Sequence, residues 1–249
     1  MPKYFDIHSH LNFKDYDADR EEVIKRLKDT DTHTIVVGTD LESSKSAVDL
    51  ADKYKEIYAC IGIHPIDSSS KNSDISLFSE LVKHPKVVAI GECGLDFYHA
   101  KKETDYERQK TLFLSQIDFA VNHNKPLMIH ARDAYTEILK ILEQFNGLRG
   151  NVHFFAGNID IAKRFFDIGF TISFTGVITF SKDYDEVIKS APIDMIMSET
   201  DAPFVAPVPY RGKRNEPVFV SEVVKKIAEI REEGEEQVRA ALVNMRYVC

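Results

Sequence analysis

Cysteine is scarce in this chain: Cys60, Cys93 and Cys249 are scattered, odd in number and free of any C-x-x-C spacing. That excludes a disulfide framework and a cysteine-built zinc site, and it fits a reduced intracellular compartment. No apolar run is long enough to cross a membrane. The opening residues Met1-Pro2-Lys3-Tyr4-Phe5-Asp6 carry no apolar leader, so a cytoplasmic chain without a secretory signal is expected. Pro/Gly-rich linkers, low-complexity tracts and sequence repeats are missing too, which leaves one domain over residues 1–249 as the expected organisation. No protein partner is evident.

A basic surplus is also lacking. Lys and Arg number 32 against 40 Asp and Glu, a net charge of −8 with His neutral. Proteins that hold nucleic acid by counterion release carry a basic face. A chain of this balance does not wrap a duplex. If it handles a polynucleotide, metal ions and a local basic patch must offset the repulsion, and contact is limited to a few nucleotides near a strand end.

What is present is enough apolar material for a sizeable core, 43% of residues. Short β-rich runs alternate with amphipathic helical patterns. The predicted strands are Tyr4–His8, Thr34–Gly38, Tyr58–Ile63, Val87–Gly91, Leu127–Ile129, Asn151–Phe154, Phe170–Phe174 and Met195–Met197. The predicted helices are Asp19–Leu27, Ser44–Tyr54, a weak one over Ile75–Lys83, Tyr106–His123, Tyr135–Phe145, Asp160–Ile168 and Tyr184–Lys189, then Val220–Arg231 and Glu235–Met245. Eight βα units with mostly apolar strands predict an α/β fold, a (β/α)8 TIM barrel, over a doubly wound open sheet.

Barrel enzymes place their sites at the C-terminal ends of the strands, and there acids and histidines recur. Strand one ends Asp6-Ile7-His8-Ser9-His10, strand three His64-Pro65, and strand four Glu92-Cys93-Gly94-Leu95-Asp96. Strand five ends His130-Ala131-Arg132-Asp133, strand six at His153, and strand eight Glu199-Thr200-Asp201. With a period of two, Asp6, His8 and His10 share one face while Phe5 and Ile7 point to the other. Each residue has a plain structural reading: Glu92 or Asp201 as a helix cap, His130 and His153 as hydrogen-bonded barrel histidines. Together, His8, His10, Glu92, His130, His153 and Asp201 converge on the barrel mouth. Nitrogen and oxygen donors of this mix suit Zn2+, and the carboxylates also admit Mg2+ or Mn2+. Six groups exceed the needs of one tetrahedral ion, and two adjacent ions bridged by a carboxylate account for the surplus.

These residues lie in linked motifs: Asp6–Asn12, Gly62–Pro65, Ile90–Tyr98, Pro126–Ala134, Ser198–Pro203 and Arg211–Pro217. In that order, and nearly end to end, the chain resembles the TatD family of metal-dependent deoxyribonucleases and hydrolases, within the amidohydrolase-like barrels. The resemblance implies that His8 and His10 hold one ion with Asp201, that His130 and His153 hold the other, and that Glu92 bridges them. It implies a deoxyribonuclease, a 3′–5′ exonuclease-like phosphodiesterase. Related barrels use a carbamylated strand-four lysine as the bridge, but no lysine lies between Val87 and Phe97.

The chain departs from the family where Cys-Phe-Ser-Gly usually follows the strand-six histidine. Here the run is Phe154-Phe155-Ala156-Gly157. Phe155, on the face of His153 by strand alternation, is the better placed of the two rings to stack on a base. The ending Asn244-Met245-Arg246-Tyr247 matches the family only loosely.

For catalysis the expected parts are Asp201 as acceptor of the water proton and Glu92 as bridge. His64, Arg132 and the Arg211–Arg214 loop, Arg214 in particular, are the expected phosphate contacts. The expected partner is DNA, as single strands or strand ends. A hydrolase of small amides, esters or lactones is the rival, favoured by the acidic charge, and a scaffold without catalysis is a third class.

Overall fold

The computed structural model describes residues 1–66 and 74–243. Its strands are β1 (Tyr4–Ser9), β2 (Thr32–Val37), β3 (Ile57–Ile61), β4 (Val87–Asp96), β5 (Leu127–Arg132), β6 (Gly150–Val152), β7 (Phe170–Phe174) and β8 (Ile196–Ser198). All pair in parallel, each with the next, in the sheet order β1 to β8. The sheet then curls back on itself. Beyond β8, the Asp201 N–H donates to His8 O at 2.9 Å and the His10 N–H donates to Ala202 O at 2.7 Å. This closure rules out the open sheet.

The helices are α1 (Arg20–Asp29), α2 (Leu41–Lys53), α3 (Lys102–Asn122), α4 (Tyr135–Leu142), α5 (Ile159–Asp167), α6 (Asp185–Ser190), α7 (Val220–Arg231) and α8 (Glu235–Val243). The weak helix expected over Ile75–Lys83 is two separate 3-10 turns, Ile75–Phe78 and Leu81–Lys83. Residues 244–249, which hold the end of the last predicted helix, the Asn244–Tyr247 match and Cys249, lie outside the described residues.

Strand alternation sorts the apolar side chains into two clusters. Phe5, Ile7, Ile35, Val37, Cys60, Val88, Ala89 and Met128 fill the barrel interior. Their neighbours Val36, Ala59, Ile61, Ile90 and Ile129 pack outward with Leu27, Val48, Phe113 and Ile138 of the helices.

Two irregularities set up the mouth. Between Asp6 and Ser9, three steps along β1 match two along β2, Thr34 to Val36. The extra residue is a bulge, which flips the side-chain alternation. Asp6 therefore does not share a face with the histidines, as the plain period-two reading expects. It is buried against Thr34 and Thr200 instead, taking hydrogen bonds from both hydroxyls and from the Thr200 N–H. The second irregularity lies in β4, which runs five residues past its predicted end at Gly91 and shifts register against β5 between Ile90 and Cys93. A Cβ on Gly91 would sit 2.4 Å from Met128 O, at a φ of +154° that side chains rarely adopt. Glycine permits the close approach, and Glu92 follows it inside the barrel mouth.

Candidate metal centre

Five of the six expected donors, His10, Glu92, His130, His153 and Asp201, line one cavity of about 770 Å³ at the C-terminal mouth, and the sixth, His8, is buried beside them. Glu92 is the hub. One of its carboxylate oxygens, Oε2, lies 3.5 Å from His8 Nε2 and 3.6 Å from His10 Nε2. The other, Oε1, lies 2.8 Å from both His130 Nδ1 and His153 Nε2. Asp201 Oδ1 joins the first group, 3.5 Å from His10 Nε2 and 3.8 Å from His8 Nε2. The two imidazoles of that group are 3.2 Å apart, nitrogen to nitrogen. A tetrahedral ion with bonds near ~2.1 Å holds its ligand atoms roughly 3.4 Å apart. In the first group His8, His10 and Glu92 lie near that spacing, and Asp201 lies near it from both histidines. The second, Glu92, His130 and His153, supplies three donors.

The electrostatics suit a cation. Burial would push the Glu92 carboxyl up, but the charges of His153 and His64 and the hydrogen bonds from His130 and His153 hold it well below the usual range. Burial lowers His8 to about 4, with His153 adding to the effect, so its ring is neutral and ready to ligate. His130 is raised to about 9: burial opposes the shift, and Asp96 and Glu92 outweigh it. Proton and metal therefore compete for that ring.

Two acids that the sequence reading left without a role support these donors. Asp96 Oδ2 lies 3.0 Å from His130 Nε2, which directs Nδ1 toward Glu92. Its other oxygen accepts the backbone N–H groups of Tyr98 and His99. Glu199 is fully buried. It accepts the Phe154 N–H, and burial with the nearby Asp201 charge pushes its carboxyl well above the usual range. Both acids lie inside motifs already singled out. Placing the end of β4 at Asp96 was the signal that could have found the first.

Of the expected phosphate contacts, His64 and Arg132 line the cavity. His64 Nδ1 accepts the Ile66 N–H at 3.3 Å, leaving Nε2 3.5 Å from Glu92. Arg132 lies 4.4 Å over the exposed ring of Tyr98 and makes no ion pair with Asp133 among the described residues. Arg214 is placed elsewhere. It is paired with Asp19 at 2.6 Å, stacked on Tyr16, bonded to Asp15 O, and absent from the cavity wall. The carboxylate of Asp19 holds it from the α1 side.

The rings after β6 also exchange roles. Phe155 is 1% exposed and packs on Tyr135 and Phe165, whereas Phe154 is half-buried and lines the cavity. β6 ends at Val152, and Phe154 has a φ of +45°, so strand alternation does not carry past His153.

A parallel eight-stranded barrel with imidazole and carboxylate donors gathered at its C-terminal mouth defines a metal-dependent hydrolase. The chain belongs to the family described as TatD related DNase, which matches residues 5–246. It is 42% identical over 234 residues to the uncharacterized metal-dependent hydrolase YabD of Bacillus subtilis, covering 92% of this chain and 91% of that one. The uncharacterized metal-dependent hydrolase YjjV of Escherichia coli is 32% identical, over 98% of this chain and 96% of that protein. The crystal structure of YjjV, a TatD homolog, superposes with a TM-score of 0.90 at 28% identity, over 97% and 95% of the two chains.

Proposed function

We propose that this hydrolase is a deoxyribonuclease that cuts phosphodiester bonds near the ends of single strands and uses two divalent ions, Zn2+, Mg2+ or Mn2+. The observation that carries the reading is the split of Glu92, one carboxylate oxygen toward His8 and His10 and the other toward His130 and His153. His8, His10 and Asp201 would hold one ion and His130 and His153 the other, with Glu92 between them. When bound, such ions lower the pKa of water and polarise the phosphoryl oxygen.

The chain's own residues do the rest. Asp201 is held ionised: burial opposes this, and the hydrogen bond from His10 outweighs it. It accepts the proton that the attacking water loses. His64, whose Nδ1 takes the Ile66 N–H, keeps its proton on Nε2 and donates to a phosphate oxygen. Arg132, laid flat on Tyr98, presents its N–H edge to the same or the next phosphate. Phe154 and the half-exposed Phe204 offer apolar faces to an unstacked base. Reduced thiols at Cys60 and Cys93, both buried and unpaired, accord with work in the cytoplasm.

A second reading, a hydrolase of small amides, esters or lactones, rests on the net charge of −8 and on a cavity of drug-like size. A fluorescent single-stranded oligonucleotide, assayed with each metal and after exhaustive chelation, separates the two. Cleavage that stops on chelation and is absent in Glu92→Ala and Asp201→Ala, both folded by circular dichroism, is the expected result. Full activity in either variant or in chelator sinks the two-ion reading. Hydrolysis of small esters with the oligonucleotide left intact favours the second.

A further inference from the structure

Arg132 on Tyr98 is one of three arginine–aromatic stacks among the described residues, and one of these, Arg214 on Tyr16, is closed off by the Asp19 carboxylate. The third joins the segment after β7 to the segment after β8. Phe180 is 46% exposed, and the Arg211 guanidinium lies 3.9 Å over its ring. In an eight-stranded closed barrel the end of β8, which leads to Arg211, lies across the mouth from the end of β4, which leads to Tyr98.

Residues near this stack in sequence reach the cavity. Val177, Phe204 and Val205 line the cavity wall. Phe180 follows directly on the 3-10 turn Gly176–Thr179, about 6 Å beyond Val177 at that turn's rise of roughly 2 Å per residue. The two segments are fastened together. The Val208 N–H donates to Thr179 Oγ1 at 2.9 Å, and Arg211 Nη1 donates to Ala206 O at 3.1 Å. Tyr210 stacks on Phe219 with ring centroids 3.8 Å apart. Arg211 is thus held before any ligand arrives, and the Ala206 bond is its one hydrogen bond among the described residues.

The charge fits a polyanion. Arg211, Lys182 and Lys213 are exposed and form no ion pair among the described residues, and Asp183, next to Lys182, accepts from the Ser181 hydroxyl. In a chain of net charge −8, unpaired cations on the segments that follow β7 and β8 are where a phosphate backbone can be tolerated.

We propose that Arg211 and Phe180 form a second anchor for single-stranded DNA, so that the strand crosses the metal centre from the Arg132–Tyr98 stack to the Arg211–Phe180 stack. The Arg211 N–H edge takes a backbone phosphate, and the Phe180 ring holds the guanidinium in position and offers its exposed area to a base. This rests on the deoxyribonuclease reading.

The test uses metal-loaded full-length protein and two probes, a fluorescein-labelled oligo-dT octamer and bis(p-nitrophenyl) phosphate. On an Asp201→Asn background, which leaves the strand uncut, octamer affinity is read by fluorescence anisotropy across a salt series. Arg211→Ala is expected to raise Kd about tenfold and to flatten the log Kd–log salt slope by about 0.7, the value of one single-strand phosphate contact. Phe180→Ala is expected to weaken binding about fivefold, as loss of a stacking face does, with less change in slope. In the active enzyme, Arg211→Ala should cut the ratio of kcat/KM for the octamer over the diester about tenfold. Equal loss on both probes would mean a merely structural role and overturn the proposal, as would an unchanged Kd and slope. If the unmodified protein cuts the diester but neither binds nor cuts the octamer, the deoxyribonuclease reading falls and the anchor with it. If it cuts the octamer and Arg211→Ala changes nothing, the anchor alone falls.

Discussion

The tautomer of His130 depends on Asp96. With Asp96 Oδ2 at 3.0 Å from Nε2, the ring offers Nδ1 to the centre. Asn in its place can turn its amide N–H toward the ring and lose that preference. Partners of this kind set ligand orientation, and their removal costs roughly 10–100-fold in metal affinity or activity. Asp96→Asn should therefore lower zinc affinity by about that factor in a competitive chelator titration, and an unchanged affinity would remove Asp96 from the supporting role. Arg214 calls for the opposite kind of test. Asp19 is held below its usual pKa by the Arg214 hydrogen bond. Its folded value is lower than its unfolded one, so the pair contributes stability above the unfolded pKa and loses it as pH falls through the folded one. Arg214→Ala should lower the melting temperature modestly at pH 7, with the gap closing below about pH 4, while octamer affinity stays close to that of the parent. A large loss of octamer affinity at unchanged stability would return Arg214 to the substrate.

At the scale of single elements, the segment leaving β6 shows why local alternation misplaces a ring. Phe155 sits between Tyr135 of α4 and Phe165 of α5. Deleting a buried phenyl ring costs about 3–5 kcal/mol. Phe155→Ala should show that loss in denaturant unfolding with KM for a short strand unmoved. Phe154→Ala, at the cavity wall, should instead raise KM with little effect on stability. The reverse pattern would restore the stacking role to Phe155. The bulge in β1 acts in the same way: it separates Asp6 from His8 and His10, which the sequence spacing alone puts on one face. Both departures arise where a backbone leaves the ideal strand, and neither has a side-chain signature in its own few residues.

For the whole molecule, charge and cavity act together. With a net charge of −8 and few cations at the mouth, the protein can neutralise only a few phosphates. A linear single strand should be degraded from an end with modest salt dependence, and a closed circular strand of equal length should be cut at least tenfold more slowly. Equal rates would mean internal cleavage and would overturn the strand-end reading.

The order of βα units and the apolar character of their strands determined the barrel, because a parallel sheet covered by helices demands that pattern whatever its loops do. The donors were readable for the same reason: barrel sites occupy strand ends, and an acid or histidine at one strand end after another has no common structural explanation. Which groups meet was decided only in three dimensions. The β4 bulge turns Glu92 inward, Asp96 and Glu199 reach histidines or backbone from other strands, and Asp19 pairs with Arg214 while Arg211 stacks on Phe180. A partner contributed by a distant segment leaves no trace in the local spacing of either residue, so it is only the closed barrel that tells an arginine paired with a carboxylate from one without an ion pair three positions away.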